Sequence, residues 1–476
     1  MIGRGIGIPF RHGTSGGGTS IPPEIKKSIV AWYDPKKQGM TNYDVIEAYT
    51  EDFRKEPWIN KPEKYVGNLT SKTLTVTEVI VRSTLIYTNI KPYNFKVRIT
   101  GLINNQKVIF GDDTSQYRAL IVDKDGIYDI NWEDNHNAYC IWMDFIGECD
   151  ITITQLPTSI LKDFSGNKHD AYLYGFKGKL NSGVGIYAQD FKNWNYGGAI
   201  NSNISTKFYN KFHIVKKKAD NWFGFTIGIP KTNYYNQSYK LKFNINKKID
   251  DIKFTIVSTD GNLITTAAYS VYINDGSIID VPIISEEIFN NKKETNIYYD
   301  FGTNKDIEID VELIADYPNQ LCYDGKSYAV AYDMPILTDY TVMAERAILD
   351  NSDIADWAFI AKRDYPAING AFTFEKDIDD TSDNLRTISF GRTSVIYNPI
   401  KERSISYQTK NKYNGQDIIV GNVDDVDFLL IGAGILDTNL NLVKEKMRVA
   451  HGAIIVADRS FTEEEINWLK QNWDKI

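Results

Sequence analysis

The sequence predicts an all-β protein assembled from several sandwiches, and three observations carry that prediction. First, sheet-favouring residues dominate: 30 tyrosines, 22 phenylalanines and 9 tryptophans stand beside only 5 histidines and 14 prolines. Aromatic and β-branched side chains fit a pleated, half-buried surface better than a helix. Second, short segments alternate apolar and polar residues with a period of two, with turn residues between them. Third, 476 residues are too many for one ordinary core, so about two to four domains are expected.

Taken in order, residues 1–20 read MIGRGIGIPFRHGTSGGGTS and carry no hydrophobic period. Such a stretch cannot bury enough apolar surface to order itself. It is either a loose terminus or an arm that orders on docking to a larger assembly. In the second case Arg4, Ile6, Ile8, Pro9, Phe10 and Arg11 are its contact residues. No strand precedes the glycines and no helix follows, so a dinucleotide fingerprint is excluded.

Strands are expected at Leu74–Val81, Tyr93–Thr100, Lys107–Phe110, Ala119–Asp123, Asn137–Met143 and Asp150–Gln155. They continue at Tyr239–Ile245, Ile252–Ser258, Ala268–Ile273, Tyr340–Ala347, Trp357–Lys362, Thr387–Phe390, Val395–Tyr397 and Asp427–Ile431. Strands this numerous, with no long helices between them, imply sandwiches or barrels. One helix is well specified, after Ser460. Thr462 is its N-cap, Glu465 completes a capping box, and Phe461 with Ile466 forms a hydrophobic staple. Ile466, Leu469 and Trp473 then share the docking face.

Two blocks match each other in order and spacing. Tyr93–Ile99 parallels Tyr239–Ile245, Lys124–Ile130 parallels Asn274–Val281, and Asp144-Phe145 with Asp150–Ile153 parallels Asp300-Phe301 with Asp306–Ile309. This reads as two copies of one small sandwich.

Composition removes several function classes. Fifty-four basic against 62 acidic residues leave a net charge of −8, which repels phosphate backbones and disfavours nucleic acid as the main partner, although a local basic patch is compatible with it. The longest apolar run, Phe428–Leu436, is too short to span a bilayer. The N-terminus lacks an apolar signal-peptide core. Cys140, Cys149 and Cys322 form no CxxC or Cys/His cluster, so neither a disulfide framework nor a structural zinc site is expected.

Several segments carry a family resemblance. Ile29-Val-Ala-Trp-Tyr-Asp-Pro-Lys-Lys-Gln-Gly39 resembles the opening strand of LamG or concanavalin A-like jelly rolls. Leu161-Lys-Asp-Phe-Ser-Gly-Asn-Lys-His-Asp-Ala171 resembles the turn such domains place before their next strand. Asp324-Gly-Lys-Ser-Tyr328, Met334-Pro-Ile336, Tyr340-Thr-Val-Met-Ala344 and Arg459-Ser-Phe-Thr-Glu-Glu-Glu-Ile466 extend the match. With the Gly-Ile-Gly-Ile-Pro-Phe-Arg leader, the chain resembles virion structural proteins of tailed phages of gut Bacteroidales, including crAss-like phages. The matched stretches fall in 1–45, 160–195 and 320–476, and the pattern is interrupted by two long insertions, which are the two repeat copies.

The resemblance implies a concanavalin A-like sandwich over 21–48, 157–200 and 320–476, with inserted sandwich modules at 60–156 and 201–319. It implies a head or tail fibre or decoration protein, assembled in the host cytoplasm and carried on the virion. The arm at 1–20 would dock it to other virion proteins. Homo-oligomerisation, with a trimer favoured, would multiply weak sites into avidity.

The chemistry-bearing residues divide into three groups. Glu308-Ile-Asp-Val-Glu312 matches the E-x-D-x-E strand of a glycoside hydrolase family on the same fold, and alternate residues of a strand share a face. A polysaccharide depolymerase, with Glu308, Asp310 and Glu312 as its carboxylates, is therefore the alternative function. The duplication argues against it: their counterparts are Thr152, Thr154 and Leu156, so a solvated strand face is the preferred reading and the chain is read as a non-enzyme. Trp194, Tyr196, Trp222, Tyr234 and Tyr235, in Asn-rich contexts, are candidates for stacking on host-surface sugars, or core residues. Asp377, Asp379 and Asp380 offer the oxygen ligands that Ca²⁺ takes, but without EF-hand spacing a solvated loop is preferred and no cofactor is required. His169 and His213 have no partner legible in the sequence, and His451 is placed before a strand; all three are read as structural.

Overall fold

The structure is a computed structural model that describes residues 20–40, 58–60, 62–70, 73–80, 86–88, 95–112, 118–130, 141–147, 150–176, 204–208, 211–216, 224–227, 239–245, 252–259, 265–282, 296–302, 305–314, 317–348, 358–365, 370–376, 384–388, 398–399, 404–417, 424, 426–437, 442–444 and 446–476. The fold is all-β, built from antiparallel sheets that face each other in pairs.

After β1 (Ile29–Tyr33) the chain enters a first module. Its strands are β2 (Trp58–Asn60), β3 (Tyr65–Leu69), β4 (Thr73–Val79), β5 (Ile86–Thr88), β6 (Phe95–Thr100), β7 (Lys107–Asp112), β8 (Arg118–Val122), β9 (Gly126–Ile130), β10 (Ile141–Ile146) and β11 (Ile151–Leu156). They form sheets of order β2-β5-β10-β7-β8 and β3-β4-β11-β6-β9. Leu74, Val97, Ile99, Phe110, Phe145 and Ile153 fill the space between them. Short strands β12 (Ile160–Leu161) and β13 (Ala171–Tyr174) follow.

The second module comprises β14 (Ile204–Phe208), β15 (Lys211–Lys216), β16 (Gly224–Ile227), β17 (Tyr239–Ile245), β18 (Ile252–Thr259), β19 (Thr265–Ile273), β20 (Ile278–Val281), β21 (Asn296–Gly302) and β22 (Ile307–Ile314). Its sheets run β14-β15-β22-β17-β20 and β16-β21-β18-β19. Matching β3 through β11 with β14 through β22 in order reproduces the same pairing in both modules, with β2 as an addition to the first. The matched sequence landmarks fall on equivalent strands: β6 with β17, β9 with β20, β10 with β21 and β11 with β22. Strict alternation in β17 and β22, buried at every second residue, follows from one face packing inward and one facing out.

The remaining strands are β23 (Leu321–Asp324), β24 (Tyr328–Tyr332), β25 (Thr341–Ile348), β26 (Ala358–Tyr365), β27 (Gly370–Lys376), β28 (Asn384–Ile388), β29 (Asn398–Pro399), β30 (Ser404–Thr409), β31 (Lys412–Tyr413), β32 (Gln416–Asp417), β33 (Phe428–Ile431), β34 (Ile435–Asp437), β35 (Leu442–Lys444) and β36 (Arg448–Ala457). With β1, β12 and β13 they make a larger sheet pair. One sheet runs β1-β36-β25-β30-β31-β32 with β23 on β36, and the other runs β12-β13-β24-β33-β26-β27-β28-β29. Tyr33, Tyr323, Phe359, Phe372, Ile431 and Ile454 belong to the core between them.

Both outer faces of this pair are also covered, which is why β33 and β36 read as continuous apolar runs. On one side α1 (Pro23–Lys26), α2 (Pro35–Gln38) and α3 (Glu463–Asn472) border the first sheet; Ile25, Trp32, Ile455, Ile466, Leu469 and Trp473 share a buried cluster there. On the other, Leu156 of the first module joins Tyr172, Tyr174, Val330 and Leu430. The α3 capping box is complete: Thr462 Oγ1 accepts from Glu465 N, and Glu465 Oε2 accepts from Thr462 N. Burying each large apolar side chain of its docking face contributes about 1.5–3 kcal/mol.

Two glycines are fixed by contact. A Cβ on Gly432, at φ +75°, would stand 2.3 Å from the Tyr323 ring, and one on Gly452 would stand 2.4 Å from Glu345 Oε2. Several expectations shift. The strand expected at Asn137–Met143 is observed at Ile141–Ile146, with 131–140 outside the described residues, and that expected at Thr387–Phe390 is observed at Asn384–Ile388. His451 does not precede a strand: it lies inside β36, where burial on both faces hides the alternation that would have marked it. Trp357 and Val395–Tyr397 lie outside the described residues.

Candidate functional site

The segments that carry the family resemblance are brought together by a polar clasp. Asp163, 6% exposed, is its centre. Its Oδ1 accepts from Trp32 N at 2.9 Å and Ser165 N at 2.8 Å, and its Oδ2 accepts from Ser165 Oγ at 2.7 Å and His169 N at 3.1 Å. Asp170 Oδ1 accepts from Asp163 N. Asn167 Nδ2 donates to the carbonyls of Ile29 and Val30, and Tyr33 Oη donates to His169 O at 2.6 Å. The turn is thus stitched to the outer edge of β1, where Phe164 N also donates to Trp32 O and Tyr33 bridges to Asp163. Trp32 meets Phe164 edge-on at 6.1 Å, and Lys37 Nζ lies 4.5 Å from the Trp32 ring centre. Burial, then the nearby carboxylates of Asp163 and Asp170, push the Tyr33 hydroxyl well above its ordinary pKa, so it stays a neutral donor.

A second knot closes the sandwich at α3. Arg459 grips Glu465 with two bonds, Nη2 to Oε1 at 2.6 Å and Nη1 to Oε2 at 2.8 Å. Asp339 accepts from Ser460 N and Oγ, and Thr341 Oγ1 accepts from Phe461 N. The Arg459 hydrogen bonds hold the Glu465 carboxyl below its ordinary pKa against the opposing pull of burial.

The three candidate carboxylates stand on the outward face of β22, opposite Ile307, Ile309, Val311 and Leu313. Cross-strand register places Glu312 between Lys211 and Lys242, and Asp310 between His213 and Asn244. His213 lies between two carboxylates, with Nδ1 3.0 Å from Asp310 Oδ1 and Nε2 3.3 Å from Glu308 Oε1. It therefore has partners, contrary to the sequence reading, which could not see a pairing made across 97 residues. Lys211 Nζ reaches Asp310 Oδ2 at 3.4 Å. Desolvation pulls the Asp310 carboxyl upward, but the His213 hydrogen bond and the Lys211 charge outweigh it and hold the pKa below the ordinary value. A depressed carboxylate paired with Lys211 and hydrogen-bonded to His213 suits a static polar ladder; a general acid needs its pKa raised. The Glu308 side chain is 43% exposed.

The equivalent face of the first module does something different. There Arg98 lies 4.2 Å from the Tyr332 ring centre and 3.6 Å from both Asp333 Oδ1 and Asp427 Oδ2, while Lys96 approaches the Tyr172 ring. Together with buried Leu156, these residues seat the first module on the larger sandwich. The second copy carries Lys242, Asn244 and Glu312 where the first has Lys96, Arg98 and Leu156, and so replaces an apolar and cationic seat by a charged ladder.

Trp194, Tyr196, Trp222, Tyr234 and Tyr235 lie outside the described residues, as do Asp377, Asp379, Asp380 and the arm residues Arg4, Ile6, Ile8, Pro9, Phe10 and Arg11. Among the described residues no group of three or more His, Cys, Asp or Glu is arranged to hold a metal ion, and no helix is long and apolar enough to cross a membrane.

Sequence inspection missed one buried charge pair. Lys362 and Asp424, both without side-chain exposure, meet at 2.5 Å. Lys362 Nζ also donates to Val426 O, and Asp424 accepts from Leu337 N and Val426 N. An isolated lysine in a strand and an aspartate in an acidic loop gave no signal of their meeting.

No family model and no curated protein matches the chain. Among solved structures, Trypanosoma rangeli sialidase in complex with sialic acid aligns at 9% identity, covering 86% of this chain and 83% of that chain, with a TM-score of 0.25. The same enzyme in complex with 2,3-difluorosialic acid aligns at 10% identity, covering 86% and 84%, also with a TM-score of 0.25. Likeness this distant bears on neither fold nor activity.

Proposed function

We propose that the chain is a structural protein of a tailed-phage particle, a head or tail fibre or decoration protein. In this reading the sheet pair built from β1, β12, β13 and β23–β36 is a concanavalin A-like jelly roll, and the two smaller sandwiches are modules inserted in its loops. Residues 1–20 dock the protein to capsid or tail partners, and the sandwiches project outward for contact with host-surface glycans, in a homo-oligomer for which a trimer is favoured.

The observation that supports this reading is the clasp. The Trp-Tyr-Asp-Pro segment and the Ser-Gly-Asn turn, two of the stretches that carry the resemblance, interlock through Asp163 across 131 residues of chain. These two segments thus meet as one unit of the sandwich although a whole module lies between them in the chain, as expected where loops absorb insertions cheaply.

Deleting residues 1–20 tests the docking role. The truncated protein is expected to keep the melting behaviour of the full chain and to be missing from purified particles. Incorporation at the normal level would overturn the anchoring role.

A further inference from the structure

The larger sandwich holds an amine and a carboxyl group in contact where neither meets solvent. Lys362 lies in β26 and Asp424 in the segment leading into β33, and these strands pair antiparallel at Ile360–Ile431 and Ala361–Leu430. Both side chains have no exposure, and Lys362 Nζ stands 2.5 Å from Asp424 Oδ2. Val426 O accepts a second hydrogen bond from Nζ and fixes the direction of the amine. The carboxyl group carries a main-chain donor on each oxygen: Leu337 N donates to Oδ2 at 2.7 Å and Val426 N to Oδ1 at 3.1 Å. A nucleophile, a carboxyl carbon and two oxyanion donors are thus assembled in one dry site. Charges taken out of water carry a desolvation cost that their attraction offsets only in part. An amide in the same place carries no charge.

We propose that Lys362 and Asp424 condense into an intramolecular isopeptide bond between Nζ and Cγ. One proton passes from the ammonium group to the carboxylate and leaves an amine facing a carboxylic acid. The nitrogen lone pair attacks Cγ, and the N–H groups of Leu337 and Val426 stabilise the negative charge that develops on the carboxyl oxygens. The bond from Cγ to one oxygen then breaks. That oxygen leaves as water, taking the acid proton and one proton from nitrogen. Ammonium and carboxylate become an amide and one water, with no oxidant, reductant or second substrate.

In bulk water the charged reactants are well solvated and the condensation is unfavourable. Here that solvation is already lost, and the reacting groups are held together. Well-oriented groups of this kind reach effective concentrations of about 10⁵–10⁸ M. The bond spans 62 residues of chain and closes a loop that contains β27 to β32. It would lock the middle of the sheet β24-β33-β26-β27 against separation of its strands. This inference does not depend on the virion role.

The test is the intact mass of the denatured wild-type chain, corrected for processing at its N-terminus. It is expected to fall short of the sequence mass by one water. Aspartimide formation at an Asp–Gly step such as Asp324-Gly325 gives the same loss, so digestion with trypsin must locate it. A branched peptide joining the segment around Lys362 to that around Asp424 is expected. Lys362→Arg and Asp424→Ala are expected to show their full sequence masses and no branched peptide. Either substitution strands a buried group and weakens the fold, so the branched peptide of the wild type is the deciding readout. A full sequence mass in wild-type protein kept folded for days would overturn the proposal. So would a deficit that persists in Lys362→Arg, or one that maps away from Lys362 and Asp424.

Discussion

His451 makes the larger sandwich acid-sensitive by an amount that can be worked out from its surroundings. The ring is fully buried in β36, 5.5 Å from the Tyr323 ring and 6.0 Å from that of Phe359. Its Nδ1 is 2.7 Å from Gly452 O, which can only accept, so Nδ1 carries the proton and Nε2 accepts from Tyr323 Oη at 3.2 Å. Neutral imidazole satisfies both contacts. Burial pushes the pKa down to about 4, with the Gly452 hydrogen bond opposing weakly. Because the folded value lies below the unfolded value of about 6.5, the unfolded chain takes up the proton first as pH falls. The stabilisation is fully present above about pH 6.5 and is lost as pH falls toward 4, about 1.4 kcal/mol for each unit and about 3 kcal/mol in all.

His451→Gln removes the titration while keeping a donor and an acceptor at the site. Urea unfolding of both proteins between pH 7.5 and 4.5, read as the difference at each pH, cancels the carboxylates they share. Protection of β36 amides from hydrogen exchange confines the readout to this sandwich, since several domains do not unfold as one two-state unit. The variant is expected to be less stable at pH 7.5 and to close the gap by about 2 kcal/mol near pH 5. A gap independent of pH would refute the assignment of a buried neutral imidazole.

Other outcomes follow from the same contacts. Asp163→Ala removes four hydrogen bonds at the clasp and is expected to destabilise the larger sandwich by about 3 kcal/mol, seen as a lower melting temperature, with Asp163→Asn milder. Lys362→Met strands a buried carboxylate and is expected to cost about 3–5 kcal/mol in denaturant unfolding, of which Lys362→Met with Asp424→Leu restores a large part. Arg98→Ala is expected to leave the first module folded but to increase proteolytic cutting around its junction with the larger sandwich. Host capsular polysaccharide incubated with the wild-type chain is expected to release no reducing ends; release that disappears in Glu308→Gln with Glu312→Gln would establish the depolymerase alternative.

The sequence carried the outline of the fold because its signals are local. Period-two alternation marked Tyr239–Ile245 to the residue, and Thr462 with Glu465 marked the helix start. Order and spacing of three landmarks revealed the duplication, which the strand pairing of the two modules reproduces. Alternation failed where both faces are buried, as at β36, and there His451 was misplaced. The candidate site was legible only in part. Glu308, Asp310 and Glu312 could be set on one face of a strand, but Lys211, His213 and Lys242 come from two other strands whose register no local pattern encodes. The same limit hid the Lys362–Asp424 pair, whose members lie 62 residues apart.

The claim that this chain is a particle component is tested most directly by locating it. On the proposed reading, purified particles of a phage carrying this gene, examined by mass spectrometry and by electron microscopy with antibody against the sandwiches, are expected to contain the protein at a fixed copy number and to show label at a constant site on head or tail. Its absence from particles, with the protein recovered only free in the lysate, would contradict the account.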